Sequence, residues 1–257
     1  MPLTIHGTPS LSLAIDSLMF TRIFVAAVIS GIVAGIAFTG LQAFKVMPLI
    51  WQAETFQSTS EKPVSGHSPG APATSVHSHS DEGHYNWAPA DGVERVAFTL
   101  LANVLIGIGF ALLLCAAFAL YGQVDWRQGI IWGLLGCTIF QLAPAFGLPP
   151  ELPGMRSAPV NDRQIWWVAA IVATAGGLAL IFLAKQGIWK AVGIALIALP
   201  HMIGAPHPHY DGPGVLPAEL AASFVSASLI TNLLFWLLLG VVSAWSYKYF
   251  SARTEAA

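Results

Sequence analysis

Six stretches of this chain run for 20 to 29 residues without an Asp, Glu, Lys or Arg. They lie between Arg22 and Lys45, Arg95 and Asp125, Arg127 and Glu151, Arg163 and Lys185, Lys190 and Asp211, and Glu219 and Lys248. A helix needs about 20 mainly apolar residues to cross the hydrocarbon core of a bilayer. Inside that core every backbone N–H and C=O must be bonded within the segment, which a helix achieves by itself. Composition agrees with this reading. Of 257 residues 55% are hydrophobic and 9% charged, whereas an average soluble domain carries roughly 25% charged residues. The expected fold is all-α: a polytopic transmembrane helical bundle of six spans, at about 23–44, 96–121, 129–147, 165–184, 189–204 and 220–246. The fifth is the weakest, because Pro200, His201, Pro206, His207 and His209 fall in its second half. Five spans plus a re-entrant segment is the alternative.

The apolar run of the first window exceeds the 7–15 residues of a cleaved signal peptide, so it reads as a retained anchor. Trp51, Trp87, Trp126, Trp166, Trp167, Trp189 and Trp245 stand at or near span ends, where interfacial aromatics belong. Gly31 with Gly35, and Gly129 with Gly133, form G-x-x-x-G steps suited to close helix contact, though such steps also arise by chance in glycine-rich spans. With six spans, Arg22, Arg127, Lys185, Lys190, Lys248 and Arg253 gather on one side. Lys45, Lys62, Arg95, Arg156 and Arg163 gather on the other. The fourth-to-fifth connection has two lysines and no acid, the fifth-to-sixth no Lys or Arg. By the positive-inside rule both termini are then cytoplasmic, in a multi-pass protein of a bacterial inner (plasma) membrane. The organisation expected is a cytoplasmic tail over 1–19, a transmembrane domain over 20–250 and a second cytoplasmic tail over 251–257. An external loop over 52–94, rich in His, Ser, Pro and Gly, reads as disordered when metal-free, because it cannot bury enough apolar surface to fold alone.

An internal echo runs through the middle of the chain. Arg127-Gln128-Gly129-Ile130 opens the third window and Lys185-Gln186-Gly187-Ile188 the fifth. Each then meets a proline, Pro144 or Pro200, and leads to Leu148-Pro149-Pro150-Glu151-Leu152 or Leu216-Pro217-Ala218-Glu219-Leu220. The second-third and fourth-fifth helices then read as two parallel hairpin repeats, an arrangement that commonly builds transport sites at its interface.

Several functions find no support. There is no phosphate-binding G-x-x-x-x-G-K-[ST] loop, no G-x-G-x-x-G after a strand and no H-E-x-x-H. A formal net charge of −2 offers no basic footprint for nucleic acid. Cys115 and Cys137 lie in apolar runs and read as packing residues.

Histidine is where chemistry concentrates. Every histidine except His6 falls on the side assigned to the outside. His67, His77, His79 and His84 sit in the long loop beside Asp81 and Glu82; His201, His207 and His209 follow one another at the end of the fifth window, before Asp211. Imidazole is a borderline ligand for Zn, Cu, Fe, Ni and Co, and carboxylates widen the range. The loop group reads as a collector of divalent metal, its bland alternative being a polar linker. A proline inside a helix removes one hydrogen bond and frees the carbonyl four residues earlier, here Leu196 for Pro200 and Phe140 for Pro144. Broken backbone at membrane depth is tolerated where it lines a cavity or is buried in protein. His201 is therefore a ligand candidate, against the alternative of a neutral imidazole bonded to a neighbouring carbonyl. Glu151 and Glu219, equivalent in the two echoes, would each place a carboxylate at an outer helix boundary; Glu219 could equally serve the start of the sixth helix. The metal candidates are His201, His207, His209, Glu151, Glu219, His77, His79 and His84. Asn103, Gln141 and Asn232 are polar residues within spans, more often interhelical hydrogen-bond partners than ligands.

At these residues the chain resembles the CbtA family of predicted cobalt transporters. The resemblance rests on Leu148-Pro149-Pro150-Glu151-Leu152-Pro153-Gly154, on Pro200-His201 and His207-Pro208-His209, and on the His-bearing loop after the first helix; it runs from about Leu18 to Phe250. It implies cobalt as the metal, a link to cobalamin biosynthesis and a small single-span partner, CbtB, with histidines of its own. The residues alone indicate only a divalent metal, with Co2+ or Ni2+ both open. The favoured reading is a divalent metal-ion transporter importing cobalt, with no permanently bound cofactor, no enzymatic activity and no nucleic-acid partner. Its partners would be the ion, membrane lipid and the CbtB-like subunit, a homo-oligomer being open. The alternatives are a metal-binding accessory subunit without a pathway of its own and, well behind, a membrane metalloenzyme.

Overall fold

The computed structural model describes residues 9–60, 89–122, 124–208 and 216–255, with side chains described over 20–57, 89–122, 124–208 and 216–252. The described residues are helical in eight α-segments: α1 (Pro9–Lys45), α2 (Met47–Ser60), α3 (Val93–Tyr121), α4 (Trp126–Cys137), α5 (Ala143–Ala145), α6 (Val160–Leu183), α7 (Gly187–Ile203) and α8 (Ala218–Glu255). A π-helical turn, Thr138–Leu142, joins α4 to α5.

Five stretches are long and apolar enough to cross a membrane: Phe20–Lys45, Val93–Tyr121, Trp126–Ala145, Val160–Leu183 and Ala218–Ala252. The fifth window yields only the 17 residues of α7, about 25 Å of helix at 1.5 Å per residue. The physical reason is the proline- and glycine-rich sequence after it. Gly204, at φ 91, stops the helix, and its N–H bonds back to the Pro200 carbonyl. Antiparallel packing on α6 nevertheless brings the chain back to the end where α6 starts, since a Cβ on Gly147 would touch both Trp166 and Ala205.

α1, α3, α4 and α8 form one packed group, while α6 and α7 pair with each other and join that group through α5 and the π turn. Small residues decide where the helices cross. A Cβ on Gly31 or Gly35 would meet the α3 backbone at Ile108 or Val104, and one on Gly129 or Gly133 the α8 backbone at Gly240 or Trp236. Both G-x-x-x-G steps are thus points of closest approach, as such steps permit. Gly177 and Gly193 meet in the same way between α6 and α7. The main core gathers Phe38, Phe118, Phe235, Trp236 and Leu239 around the free, fully buried Cys115 and Cys137, which are packing residues. Asn103 bonds across to α1, donating to Thr39 Oγ1 at 3.0 Å and Gln42 Oε1 at 2.6 Å. Asn232 instead donates within its own helix, to the Ser228 carbonyl at 2.9 Å.

Three boundaries differ from the sequence reading. Helix α1 already begins at Pro9, inside the expected tail over 1–19, and α8 continues to Glu255, inside the tail over 251–257. The loop expected from 52 is helical as far as Ser60, because tertiary contacts hold it. Ala53 is buried with Val46, Leu152, Leu220 and Phe224 in a second apolar cluster. Glu54 accepts both guanidinium arms of Arg95, and Asp91 adds a bond at 3.1 Å. The loop histidines His67, His77, His79 and His84 lie outside the described residues.

The echoed segments are not placed alike. Asp125 caps α4 in a capping box with Gln128, so Gln128 lies inside the first turn. Gln186 stands before α7 as its N-cap, with no side-chain bond. α6 and α7 form a packed hairpin; α3 packs on α1 and α4 on α8, with α3 and α4 touching through Phe118, Tyr121 and Trp132. Packing partners, which a short string does not encode, separate the two halves.

Candidate functional site

Where α5, the loop after it and the start of α6 meet, a cavity of about 420 Å³ opens, lined among others by Gln141, Pro144, Pro150, Glu151, Arg163 and Trp167. Its shape begins with Pro144. Proline has no N–H to give to the helix, and the backbone just before it widens to a π turn, in which the Ala143 N–H reaches the Thr138 carbonyl. Such turns shift the register of the side chains that follow and occur frequently at functional sites. Gln141 lies within this turn and lines the cavity.

Glu151 is its carboxylate. Its side chain is 20% exposed and pairs with Arg163 Nη2 at 2.9 Å. The Ser157 hydroxyl donates to the same oxygen, Oε2. Arg163 is itself 32% exposed, and its buried Nε has no hydrogen-bond partner. The guanidinium therefore neutralises Glu151 without being fully satisfied in return. A metal cation reaching this carboxylate would have to compete with it.

His201 is elsewhere. Its half-buried ring lies edge-on to Trp166 at 5.6 Å between centroids and to Phe146 at 6.2 Å. The Trp166 indole N–H donates to the Pro200 carbonyl at 3.2 Å, fastening α6 to the last turn of α7. Trp166 and Trp167 are consecutive, so they point about 100° apart on a helix of 3.6 residues per turn. One faces His201 and the other the Glu151 cavity. Adjacent residues of α6 thus face the two candidate ligands.

Glu219 lies exposed in the first turn of α8, where a negative charge favours the helix dipole. It is not equivalent to Glu151. What the two echoed strings share is their final leucine, since Leu152 and Leu220 are buried together beneath α2. His207 is exposed beyond α7, and His209 lies outside the described residues. Among the described residues, no three side chains of His, Cys, Asp or Glu come close enough to hold one ion. The cavity lining thus includes Glu151 and Gln141, and His201, His207 and Glu219 are not part of it.

Arg163 and Ser157 have no counterpart in the sequence reading as functional residues. Arg163 served there as the edge of a charge-free window and in the count of flanking positive charges. Its position three residues into α6, just after the Glu151 string, was the available signal; the intervening loop hid the pairing.

The family model described as "Probable cobalt transporter subunit (CbtA)" matches residues 20–248. The chain belongs to the CbtA family. That match runs through all five membrane-length helices, α7 and the cavity, so a CbtA subunit is a multi-pass helical membrane protein assigned to cobalt transport. No curated protein matches the chain, and no solved structure does.

Proposed function

We propose that this CbtA protein is the membrane subunit through which a divalent transition-metal ion, cobalt before nickel, enters the cell for cobalamin biosynthesis. It works in a bacterial inner membrane with both termini cytoplasmic and α7 as a short sixth crossing, beside a small single-span CbtB-like partner. The observation that carries the reading is the partly buried Glu151 carboxylate in the lining of a cavity, held by an arginine that is itself incompletely bonded. His77, His79 and His84 collect the ion in the external loop. His207, His209 and Glu219 pass it inward, His201 takes it at the broken end of α7, and Glu151 exchanges Arg163 for it. No permanently bound cofactor and no catalysis enter this cycle. The membrane potential contributes about 2.3 kcal/mol per charge per 100 mV, hence about twice that for a divalent cation. This can drive uptake without nucleotide hydrolysis.

Cobalt uptake into proteoliposomes under an imposed potential tests the reading. Glu151→Gln and the double variant His201→Ala/His207→Ala should each lower uptake by about tenfold or more, the loss expected when a ligand worth at least 1.4 kcal/mol is removed. Unchanged uptake in both would sink the pathway.

A second reading, a metal-binding accessory subunit that hands ions to a partner, is favoured by the aromatic floor of the cavity. Phe140 stacks on Trp236 at 5.7 Å, and Phe140 also walls an adjoining cavity of about 290 Å³ lined by apolar side chains such as Leu113, Trp132 and Ile139. Binding of cobalt without flux in the same liposomes would select it.

A further inference from the structure

At the opposite end of the α4 span, the start of α4, the last turns of α8 and the turn of α1 that carries Arg22 enclose a cleft of about 590 Å³ lined by Arg22, Asp125, Gln128, Tyr247 and Lys248, among others. Its charge is unbalanced. Arg22 is half-buried and its Nε is buried with no hydrogen-bond partner. Among the described residues neither Arg22 nor Lys248 has an acidic partner within ion-pair distance. Among the described residues, Asp125 is the one carboxylate in the lining. It is committed to α4, accepting the Gln128 N–H at 2.9 Å, and Gln128 Oε1 in turn accepts the Asp125 N–H at 3.1 Å. A half-buried arginine left without an acceptor carries a desolvation cost that an anionic ligand would remove.

The surroundings suit the level of the lipid headgroups. Trp126 and Trp245 are 55% and 60% exposed beside it, as aromatic side chains are at the level of lipid headgroups. Arg127 lies over the Trp126 ring at 5.4 Å, so it is engaged outside the cleft. α3 ends and α4 begins here, at Tyr121 and Trp126, while α1 and α8 pass the cleft at Arg22 and Lys248.

We propose that this cleft is a binding site for a phosphate-bearing anion, with Arg22 and Lys248 as its cationic contacts and Gln128 and Tyr247 as polar neighbours. The inference does not depend on the metal pathway. Two sources share this chemistry, the phosphodiester of an anionic phospholipid and a soluble phosphate. The interfacial setting favours the lipid.

The test uses the full-length protein in a neutral detergent. Phosphatidylglycerol, phosphatidylcholine and inorganic phosphate are titrated separately, with the thermal midpoint and lipid retention in native mass spectrometry as readouts. Phosphatidylglycerol should raise the midpoint and be retained, whereas phosphatidylcholine should not. Protection by inorganic phosphate at similar occupancy would identify the soluble source. Arg22→Gln/Lys248→Gln should weaken phosphatidylglycerol binding on the order of tenfold, and Arg22→Lys/Lys248→Arg should preserve it. If the double glutamine variant does not fold, Lys248→Gln alone, at an exposed position, should still weaken binding severalfold. Equal protection by the zwitterionic lipid, or full anion preference in the glutamine variants, would overturn the proposal.

Discussion

A carboxylate that is one-fifth exposed gives up hydration, and at Glu151 the loss is offset by the Arg163 guanidinium at 2.9 Å and by the Ser157 hydroxyl. Charge-assisted bonds of this kind are the stronger class, so the pair is a competitor that any arriving cation must displace. Removing the competitor makes the carboxylate more available. Arg163→Gln should therefore tighten cobalt binding, on the order of tenfold if displacing the guanidinium costs about 1.4 kcal/mol. Isothermal titration of the purified variant measures this, and weaker binding would mean that Arg163 orders the site instead of opposing the ion. His201 stands in a different setting, between the rings of Phe146 and Trp166. Its residue type and its proline neighbour were legible in the sequence. The aromatic walls were not, since they come from two other segments.

At the scale of the element, glycine placement decides which helices touch. A Cβ on Gly240 would lie within hard contact of the Gly129 carbonyl oxygen and close to the Gly133 backbone, while one on Gly109 would meet nothing within 4 Å. Gly240→Ala should thus destabilise the protein by about 1–3 kcal/mol, the usual cost of overpacking, and Gly109→Ala should leave stability unchanged. Thermal unfolding in detergent compares them directly, with equal midpoints counting against the α4–α8 crossing. The same scale explains where sequence patterns fell short. Charge-free windows announce the long helices because hydrocarbon excludes charge, and five of six do reach membrane length. α7 is cut to 17 residues by its proline and glycine. α2 was invisible in a low-complexity stretch, since its helicity rests on Ala53 beneath Leu152 and Leu220 and on Glu54 with Arg95.

For the whole molecule, the Glu151 cavity and the Arg22–Lys248 cleft lie at opposite ends of the helices, which puts them on opposite faces of a membrane. With both native cysteines buried, single introduced thiols can report this without first removing them. Asn161→Cys, exposed at the start of α6, should react with a membrane-impermeant maleimide added outside intact cells. Ala252→Cys, exposed near the end of α8, should react only after the membrane is opened. The reverse pattern would invert the orientation and turn the proposed metal path outward. The sequence by itself determined that this is an all-helical membrane protein and where its long helices run, because lipid imposes a local constraint on every residue it touches. Only the tertiary structure decided that Glu151 answers to Arg163, that His201 sits against Trp166 and Phe146 and that Glu219 stays exposed. Those relations depend on which helices share a crossing, and that is settled by shape at small residues far apart in the chain.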